Sequence, residues 1–179
     1  MVEVVSTADY HAFERKLAAK GFQPDVAPEA PICRRTRNGV RLDVMPPIPE
    51  LLGFGNRWYP QVLQLWKPFE LTEDVSIRLF TAPLFIATKL EAFRGRGKRD
   101  YLGSHDLEDL PSVVDGRGEL FDELIACDDE LRNYISKEIG ALLRNDEFVA
   151  ALPGHLPVDP GAQARLPQLL ERLRLISKD

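Results

Sequence analysis

Apolar positions recur along the chain with two different periods. Spacings of three and four predict a helix over residues 7–20, with Tyr10, Phe13 and Leu17 on its apolar face. Gly21 follows directly and is predicted to end this helix, since glycine readily adopts the left-handed conformation found at helix C-termini.

Alternating apolar and polar residues predict a β-hairpin over residues 32–36 and 40–45. Its turn is Asn38-Gly39, a dipeptide that accepts the positive φ angles of a two-residue turn. Successive side chains of a strand point to opposite faces, so Asp43 lies opposite the apolar residues. It points either into solvent or into a cleft. The apolar face of this strand consists of Val40, Leu42 and Val44.

Further strands and a series of helices are predicted along the rest of the chain. The strands cover residues 2–5, 61–70 and 75–80, the second of them irregular. The helices cover residues 83–94, 104–115, 119–127, 128–144, 146–152 and 166–177. Pro83 is predicted at the first helical position, Gly95 and Gly97 at the end of that helix, and Ser104 as the cap of the next. The pattern predicts an α+β (or α/β) protein with a small mixed sheet, flanking helices and a helical C-terminal lobe. We expect a sheet part over residues 1–82 and a helical lobe over residues 83–179, packed as one unit.

The composition and the net charge exclude several classes of protein. The chain has 179 residues, of which 44% are hydrophobic, enough for the core of one domain. The net charge of −5 excludes a generally basic nucleic-acid-binding surface, although it leaves room for a local basic patch. Cys33 and Cys127 are far apart and show no zinc-type spacing, and no apolar run reaches the length of a membrane helix. We therefore expect a reduced, cytoplasmic protein.

The densest charge pattern lies between residues 89 and 110. Its cations are Lys89, Arg94, Arg96, Lys98 and Arg99, and its acids are Asp100, Asp106, Glu108 and Asp109. Carboxylates that bind Mg²⁺, with lysine or arginine on phosphate, are the groups that phosphoryl or nucleotidyl transfer needs. A block of charges is also typical of a solvated loop between two helices. The residues alone leave both interpretations open.

Two stretches carry a resemblance to a known family. Lys89 is followed by Asp106-Leu107-Glu108-Asp109-Leu110, and Leu42-Asp43-Val44-Met45-Pro46 reads as a strand bearing an acid. This pattern resembles the nucleotidyltransferase-fold proteins related to the AbiEii-type toxins of abortive-infection and toxin–antitoxin systems. The resemblance implies Mg²⁺-dependent transfer of a nucleotide from an NTP to an RNA, protein or small-molecule acceptor. It also implies a partner antitoxin protein.

The resemblance assigns roles to individual residues. Asp43 would be a metal ligand or the base for the incoming hydroxyl group, and Lys89 would hold the nucleotide phosphates. Asp106, with Asp109 in a similar role, would orient Lys89 or the acceptor. Four further cations would contact the acceptor or the triphosphate, namely Arg94, Arg96, Lys98 and Arg99.

The chain also departs from the family pattern. No Gly-Ser or Gly-Gly dipeptide and no Asp-x-Asp pair precedes Asp43, and the pair would fall just before Met1. Two of three expected metal-binding acids are therefore missing, and one carboxylate binds Mg²⁺ weakly. We expect impaired transfer or none. The alternative is a catalytically inactive remnant that acts as an interaction or regulatory protein. A nucleic-acid-binding module using residues 94–99 is a third hypothesis, against which the net charge counts.

Overall fold

The structure is a computed structural model whose described residues form two compact units. The described residues are 7–28, 30–45, 55–97 and 99–178. The first unit covers residues 1–60 and the second covers residues 61–179. The strand predicted over residues 2–5 lies outside the described residues. The division into residues 1–82 and 83–179 stays a prediction.

The first unit opens with helix α1 (Thr7–Ala19), which confirms the predicted helix. Its buried residues are Tyr10 and Leu17. Gly21 follows with a φ of 86°, a conformation that residues with a side chain rarely adopt. Gly21 therefore ends the helix, as predicted.

The predicted hairpin forms between β2 (Arg34–Arg37) and β3 (Val40–Asp43), which pair antiparallel. Asn38 and Gly39 make the turn at φ angles of 48° and 80°, as a two-residue turn of this kind requires. A short strand that the sequence pattern does not show, β1 (Gln23–Pro24), pairs antiparallel with β2. The sheet of the first unit therefore has the order β1-β2-β3.

A small apolar core holds α1 against this sheet. Its members are Tyr10, Leu17 and Val44, with Phe13, Phe22 and Leu42 packed against them. The predicted apolar face of β3 is therefore confirmed for Leu42 and Val44. It is wrong for Val40, which is 58% exposed because it directly follows the turn.

A second hairpin, β4 (Trp66–Thr72) and β5 (Val75–Phe80), lies at the start of the second unit and is also antiparallel. β5 matches its predicted bounds. The irregular strand predicted over residues 61–70 is wrong in its first part, because Tyr59–Val62 form a helical turn, α2. In place of a single mixed sheet, the described residues form one three-stranded and one two-stranded sheet, both antiparallel.

Helices account for most of the second unit. They are α3 (Ala82–Arg96), α4 (His105–Gly116), α5 (Leu120–Ala126), α6 (Asp129–Leu143), α7 (Asp146–Ala151), α8 (Pro160–Ala164) and α9 (Leu166–Ile176), with a 3₁₀ turn at Leu152–His155. The helices predicted here are confirmed, and their ends differ by about two residues or fewer, the usual uncertainty of helix ends. The short helix α8 is not predicted. Helices with two antiparallel hairpins confirm the α+β class.

Three predicted details of the helix ends need correction. Gly95 lies inside α3, and it is Gly97 that ends the helix, its N–H donating to the carbonyl of Phe93 at 2.7 Å. Pro83 is the second residue of α3 rather than the first. Ser104 stands at the N-cap of α4, but its side chain makes no capping hydrogen bond.

The core of the second unit lies where α3, α4, α6 and α9 pack together. The predicted stripe of α4 is confirmed, since Leu107, Leu110 and Val114 are each at most 1% exposed. Further fully buried side chains are Leu84, Ile86, Ile135, Ile139, Leu169 and Leu173. Among the described residues, no helix has the length and apolar character that crossing a membrane requires.

Candidate functional site

Most of the predicted site residues lie on α3 and α4, which a loop over residues 97–104 connects. Lys89 and Arg96 lie on α3, whereas Asp106 and Asp109 lie in the first turns of α4. The loop reverses the chain, so the C-terminal half of α3 packs beside the N-terminal half of α4. Cations and acids that follow one another in sequence thereby face each other. We call these four side chains the α3–α4 charge cluster.

Lys89 is paired with both acids of the cluster. Its Nζ lies 2.5 Å from Oδ2 of Asp109 and 3.7 Å from Oδ1 of Asp106. The same Nζ lies 5.5 Å from the ring centroid of Phe85, one turn earlier on α3. The side chain is 26% exposed, so its neighbours cover most of it. This arrangement agrees with the prediction that Asp106 and Asp109 orient Lys89.

Asp106 is the centre of the cluster. Arg96 donates from Nε to Oδ2 and from Nη2 to Oδ1, both at 2.9 Å. This two-point geometry is the strongest that a guanidinium and a carboxylate form. The Asp106 side chain is only 10% exposed, although it lies in the first turn of a helix. Asp106 therefore holds a cation from each of two turns of α3 and fixes how α3 and α4 pack.

The two acids differ in how easily a ligand could replace them. Asp106 is nearly buried and binds two cations, whereas the Asp109 side chain is 43% exposed and binds Lys89. Replacing Asp109 by an incoming anion uncovers little and leaves the carboxylate in water. An exchange of Asp109 for another anion would leave the 3.7 Å contact between Lys89 and Asp106 in place.

Asp43 lies in the first unit and has a different environment. Arg34, directly opposite it in the hairpin, donates from Nε to Oδ1 at 2.8 Å and from Nη2 to Oδ2 at 2.9 Å. These hydrogen bonds hold the pKa of Asp43 below its ordinary value. Both carboxylate oxygens are already bound by a cation. Asp43 therefore closes the open end of the hairpin, which is a structural role that the sequence reading did not assign.

Among the other predicted phosphate contacts that the structure describes, Arg96 belongs to the α3–α4 charge cluster, whereas Arg94 and Arg99 do not. Arg94 is paired with Glu138 of α6 at 3.6 Å, so it is directed to another helix. Arg99 is exposed and has a φ of 62°. Lys98 lies outside the described residues. Of the described cations of this stretch, only Lys89 and Arg96 are shown binding the acids of the cluster.

The loop between α3 and α4 is attached to the C-terminal helices through Tyr101. Its hydroxyl accepts a hydrogen bond from Asn145 at 3.1 Å, and its carbonyl lies 2.7 Å from Nε2 of His155. Its ring packs against Phe93 and Phe148, with centroids 5.4 Å and 6.4 Å away. The sequence reading missed this anchor, because its partners lie more than forty residues further along the chain. The anchor holds the basic loop in place.

His105 lies outside the charge cluster, although it neighbours Asp106 in sequence. Its Nδ1 lies 3.0 Å from Oε2 of Glu108, on the exposed side of α4. This contact raises the pKa of His105 and lowers the pKa of Glu108. The pair is a surface interaction within one helix, which agrees with a structural role for His105.

Known proteins offer no further assignment for the site. No family model, curated protein or solved structure matches the chain. The family resemblance therefore depends on the residues between 42 and 46 and between 87 and 110. Of these two stretches, the second forms the α3–α4 charge cluster and the first forms the Asp43–Arg34 pair.

Proposed function

We propose that this chain is a cytoplasmic nucleotidyltransferase-like protein that binds the phosphates of an NTP at Lys89. The family activity is transfer of the nucleotide to an RNA, protein or small-molecule acceptor, and a partner antitoxin belongs to the same proposal. The observation that supports it is the clustering of Lys89, Arg96 and Asp106, three residues that the resemblance assigns to the site.

The cluster has the properties that phosphate binding requires. A lysine contacts phosphate as a compact point charge, and it is most effective when its position is fixed in advance. Asp106 supplies that fixed position, and Arg96 holds Asp106 in turn. When a phosphate oxygen takes the place of Asp109, Lys89 gains a more highly charged partner without moving from Asp106. Lys89 would therefore be the binding residue, with Asp106 and Arg96 as positioning residues.

The described residues do not fit a Mg²⁺ site. Magnesium takes several oxygen ligands, and both oxygens of Asp43 are bound by Arg34. Within the described ranges, no group of three or more potential ligands lies close enough together to hold a metal ion. We therefore derive no transfer step through a metal, and Mg²⁺ stays an expectation of the family resemblance.

The same contacts support a second candidate, an inactive remnant of this fold that acts as an interaction or regulatory protein. In it, the Arg34 pair on Asp43 and the carboxylates on Lys89 are purely structural. A nucleic-acid-binding module is less well supported, because the chain carries a net charge of −5. Its signature would be an affinity that falls steeply with salt.

Calorimetric titration with each of the four NTPs, with and without Mg²⁺, distinguishes the first two candidates. We predict that the wild-type chain binds at least one NTP and that Lys89→Ala weakens this binding about 10- to 100-fold. The loss of one hydrogen bond to a charged group, about 1.5–3 kcal/mol, corresponds to this range. Lys137→Ala is the matched control, since Lys137 is an exposed helical lysine of the same unit.

Three outcomes decide between the candidates. Binding that Lys89→Ala weakens and Lys137→Ala leaves unchanged supports the nucleotide-binding proposal. A folded wild-type chain that binds no NTP supports the remnant. Equal binding by the wild type and Lys89→Ala would contradict the role of Lys89.

A further inference from the structure

A groove of about 690 Å³ opens on the second unit, next to the α3–α4 charge cluster, since its lining includes Phe85, whose ring centroid lies 5.5 Å from Nζ of Lys89. The hairpin β4–β5 forms one wall, and α3, α4 and the start of α5 form the others. Its apolar lining comes from Phe69, Leu79, Phe80, Phe85 and Val113. This volume lies within the range of small-molecule sites, about 300–1,000 Å³. The groove is therefore large enough for a ligand of two or three fused or linked rings.

Several large apolar side chains of this groove face solvent. Phe69 is 50% exposed and Leu79 is 43% exposed, and they lie on neighbouring strands of the hairpin. Exposed apolar surface costs free energy of about 25 cal/mol for each Å² that water covers. A flat apolar ligand that binds between these residues would remove its own apolar surface and theirs from water.

One end of the groove carries charge. Arg117 donates to both oxygens of Glu123, from Nε at 2.7 Å and from Nη2 at 2.8 Å. Lys67 lies 3.6 Å from the same carboxylate. These three charged side chains line the groove, and two of them are cations. The charged end therefore carries one unit of positive charge in excess.

The two cations at this end have hydrogen-bond donors that could bind an anion in addition to Glu123. A guanidinium has five N–H donors, and Glu123 occupies only those of Nε and one of Nη2. Arg172 fixes the backbone of Arg117 by donating to its carbonyl oxygen at 2.7 Å. The Lys67 side chain is 68% exposed, so its ammonium group can turn towards a ligand. The hydrogen bonds from Arg117 lower the pKa of Glu123, which keeps its carboxylate ionised.

We infer that this groove binds a small molecule with a flat apolar body and one anionic group, a carboxylate, sulfonate or phosphate. The apolar body lies between the hairpin and α3–α4, and the anionic group contacts Lys67 and Arg117. A cationic ligand would meet the excess positive charge. A neutral one would gain nothing from the charged end. The inference does not require the proposed function, because its anion contacts are Lys67 and Arg117, and Lys89, although 5.5 Å from the ring of Phe85, does not itself line the groove.

Two dyes test the inference directly. Anilinonaphthalene sulfonate has an aromatic body, a flat naphthalene that carries an anilino ring, with one anionic group, and N-phenylnaphthylamine has the same body without the sulfonate. Both become fluorescent in apolar surroundings. We predict that the anionic dye binds the wild-type chain at one saturable site, and at least tenfold more tightly than the neutral dye.

Substitutions locate the site and separate its two parts. Lys67→Gln should weaken the anionic dye about threefold and Arg117→Gln about tenfold, and both should leave the neutral dye unchanged. Gly116 lines the groove, and a Cβ atom added there would meet no heavy atom within 4 Å, so Gly116→Trp can direct its ring into the groove without a clash at Cβ. It should abolish binding of both dyes. Gly118→Trp is the matched control, since Gly118 has equally open space and does not line the groove.

Four results would overturn the inference. The first is no binding of the anionic dye, and the second is equal affinity for the two dyes. The third is undiminished binding by Gly116→Trp while its thermal unfolding remains cooperative.

The fourth concerns a second copy of this chain as the occupant. If light scattering shows a dimer that Gly116→Trp converts to a monomer, the groove is a self-association surface instead. Because Lys67 is exposed, Lys67→Gln keeps the charge test valid should Arg117→Gln unfold.

Discussion

Two aspartates predicted to serve one reaction lie in different surroundings. Asp106 binds cations from two turns of α3, and its side chain is 10% exposed. Asp43 binds one cation on the neighbouring strand and is 39% exposed. Both meet an arginine through two hydrogen bonds, so the contact itself does not separate them. The difference is that Asp106 places a second cation, Lys89, which is free to change partner, whereas Asp43 joins two strands.

The comparison shows what an ion pair can do beyond stabilising a fold. In the Asp43–Arg34 pair one carboxylate meets one guanidinium, so the two charges compensate each other and leave no excess charge for a ligand. A carboxylate shared between two cations leaves each of them less than fully compensated. Asp109 compensates the rest of the positive charge of Lys89, and it is an exposed acid that an anion could replace. The α3–α4 charge cluster is therefore the better candidate for binding, and the Asp43 pair is the better candidate for structure.

The largest effect should come from Asp106→Asn. The substitution keeps the shape but leaves Lys89 and Arg96 without their shared carboxylate, so we predict a loss of about 1–3 kcal/mol in the free energy of unfolding of the second unit. Asp43→Asn should cost the first unit less than about 1 kcal/mol, because that pair is more exposed. Hydrogen exchange followed by mass spectrometry measures each unit separately. Equal losses, or a larger loss for Asp43→Asn, would contradict the expectation that the Asp106 contacts stabilise their unit more than the Asp43 pair does.

A smaller effect should appear in the pH dependence of the hairpin. The folded-state pKa of Asp43 is lowered by its hydrogen bonds with Arg34, so its stabilising contribution is present above the unfolded pKa of about 3.9 and is lost as pH falls through the folded pKa. We predict that protection of the hairpin amides in wild-type protein declines below about pH 4. Asp43→Asn should lower this protection near neutral pH and remove this part of the decline. An identical decline in both proteins would show that protonation of Asp43 does not cause the loss of protection.

Much of the fold could be predicted from local sequence patterns. The turn at Asn38-Gly39, the apolar stripe of α4 and the bounds of β5 all depend on residues close in the chain. The strand β1 could not be predicted, because two residues carry no period and their partner strand lies about ten residues away. Long-range contacts such as Tyr101 with Asn145 and His155 leave no local pattern at all.

The candidate site could be predicted only in part. The family resemblance implied that Asp106 and Asp109 orient Lys89, and these side chains do meet, because the loop between α3 and α4 brings the two helices side by side. The resemblance also assigned the nearby cations to the acceptor or the triphosphate, and one of them, Arg94, is paired with Glu138 on α6. Charge patterns identify which residues are able to pair. Which partner each one takes depends on the direction in which its turn of the helix faces.

The exchange of Asp109 for a phosphate oxygen at Lys89 is the central claim, and one titration tests it most directly. NTP binding is measured for the wild type, Asp109→Asn and the matched control Glu108→Gln, which removes a charge from the same turn of α4 without touching Lys89. We predict that Asp109→Asn tightens binding about two- to fivefold, because an exposed pair worth up to about 1 kcal/mol no longer competes. Glu108→Gln should leave binding nearly unchanged. Weaker binding by Asp109→Asn, or an equal gain in both variants, would contradict the claim.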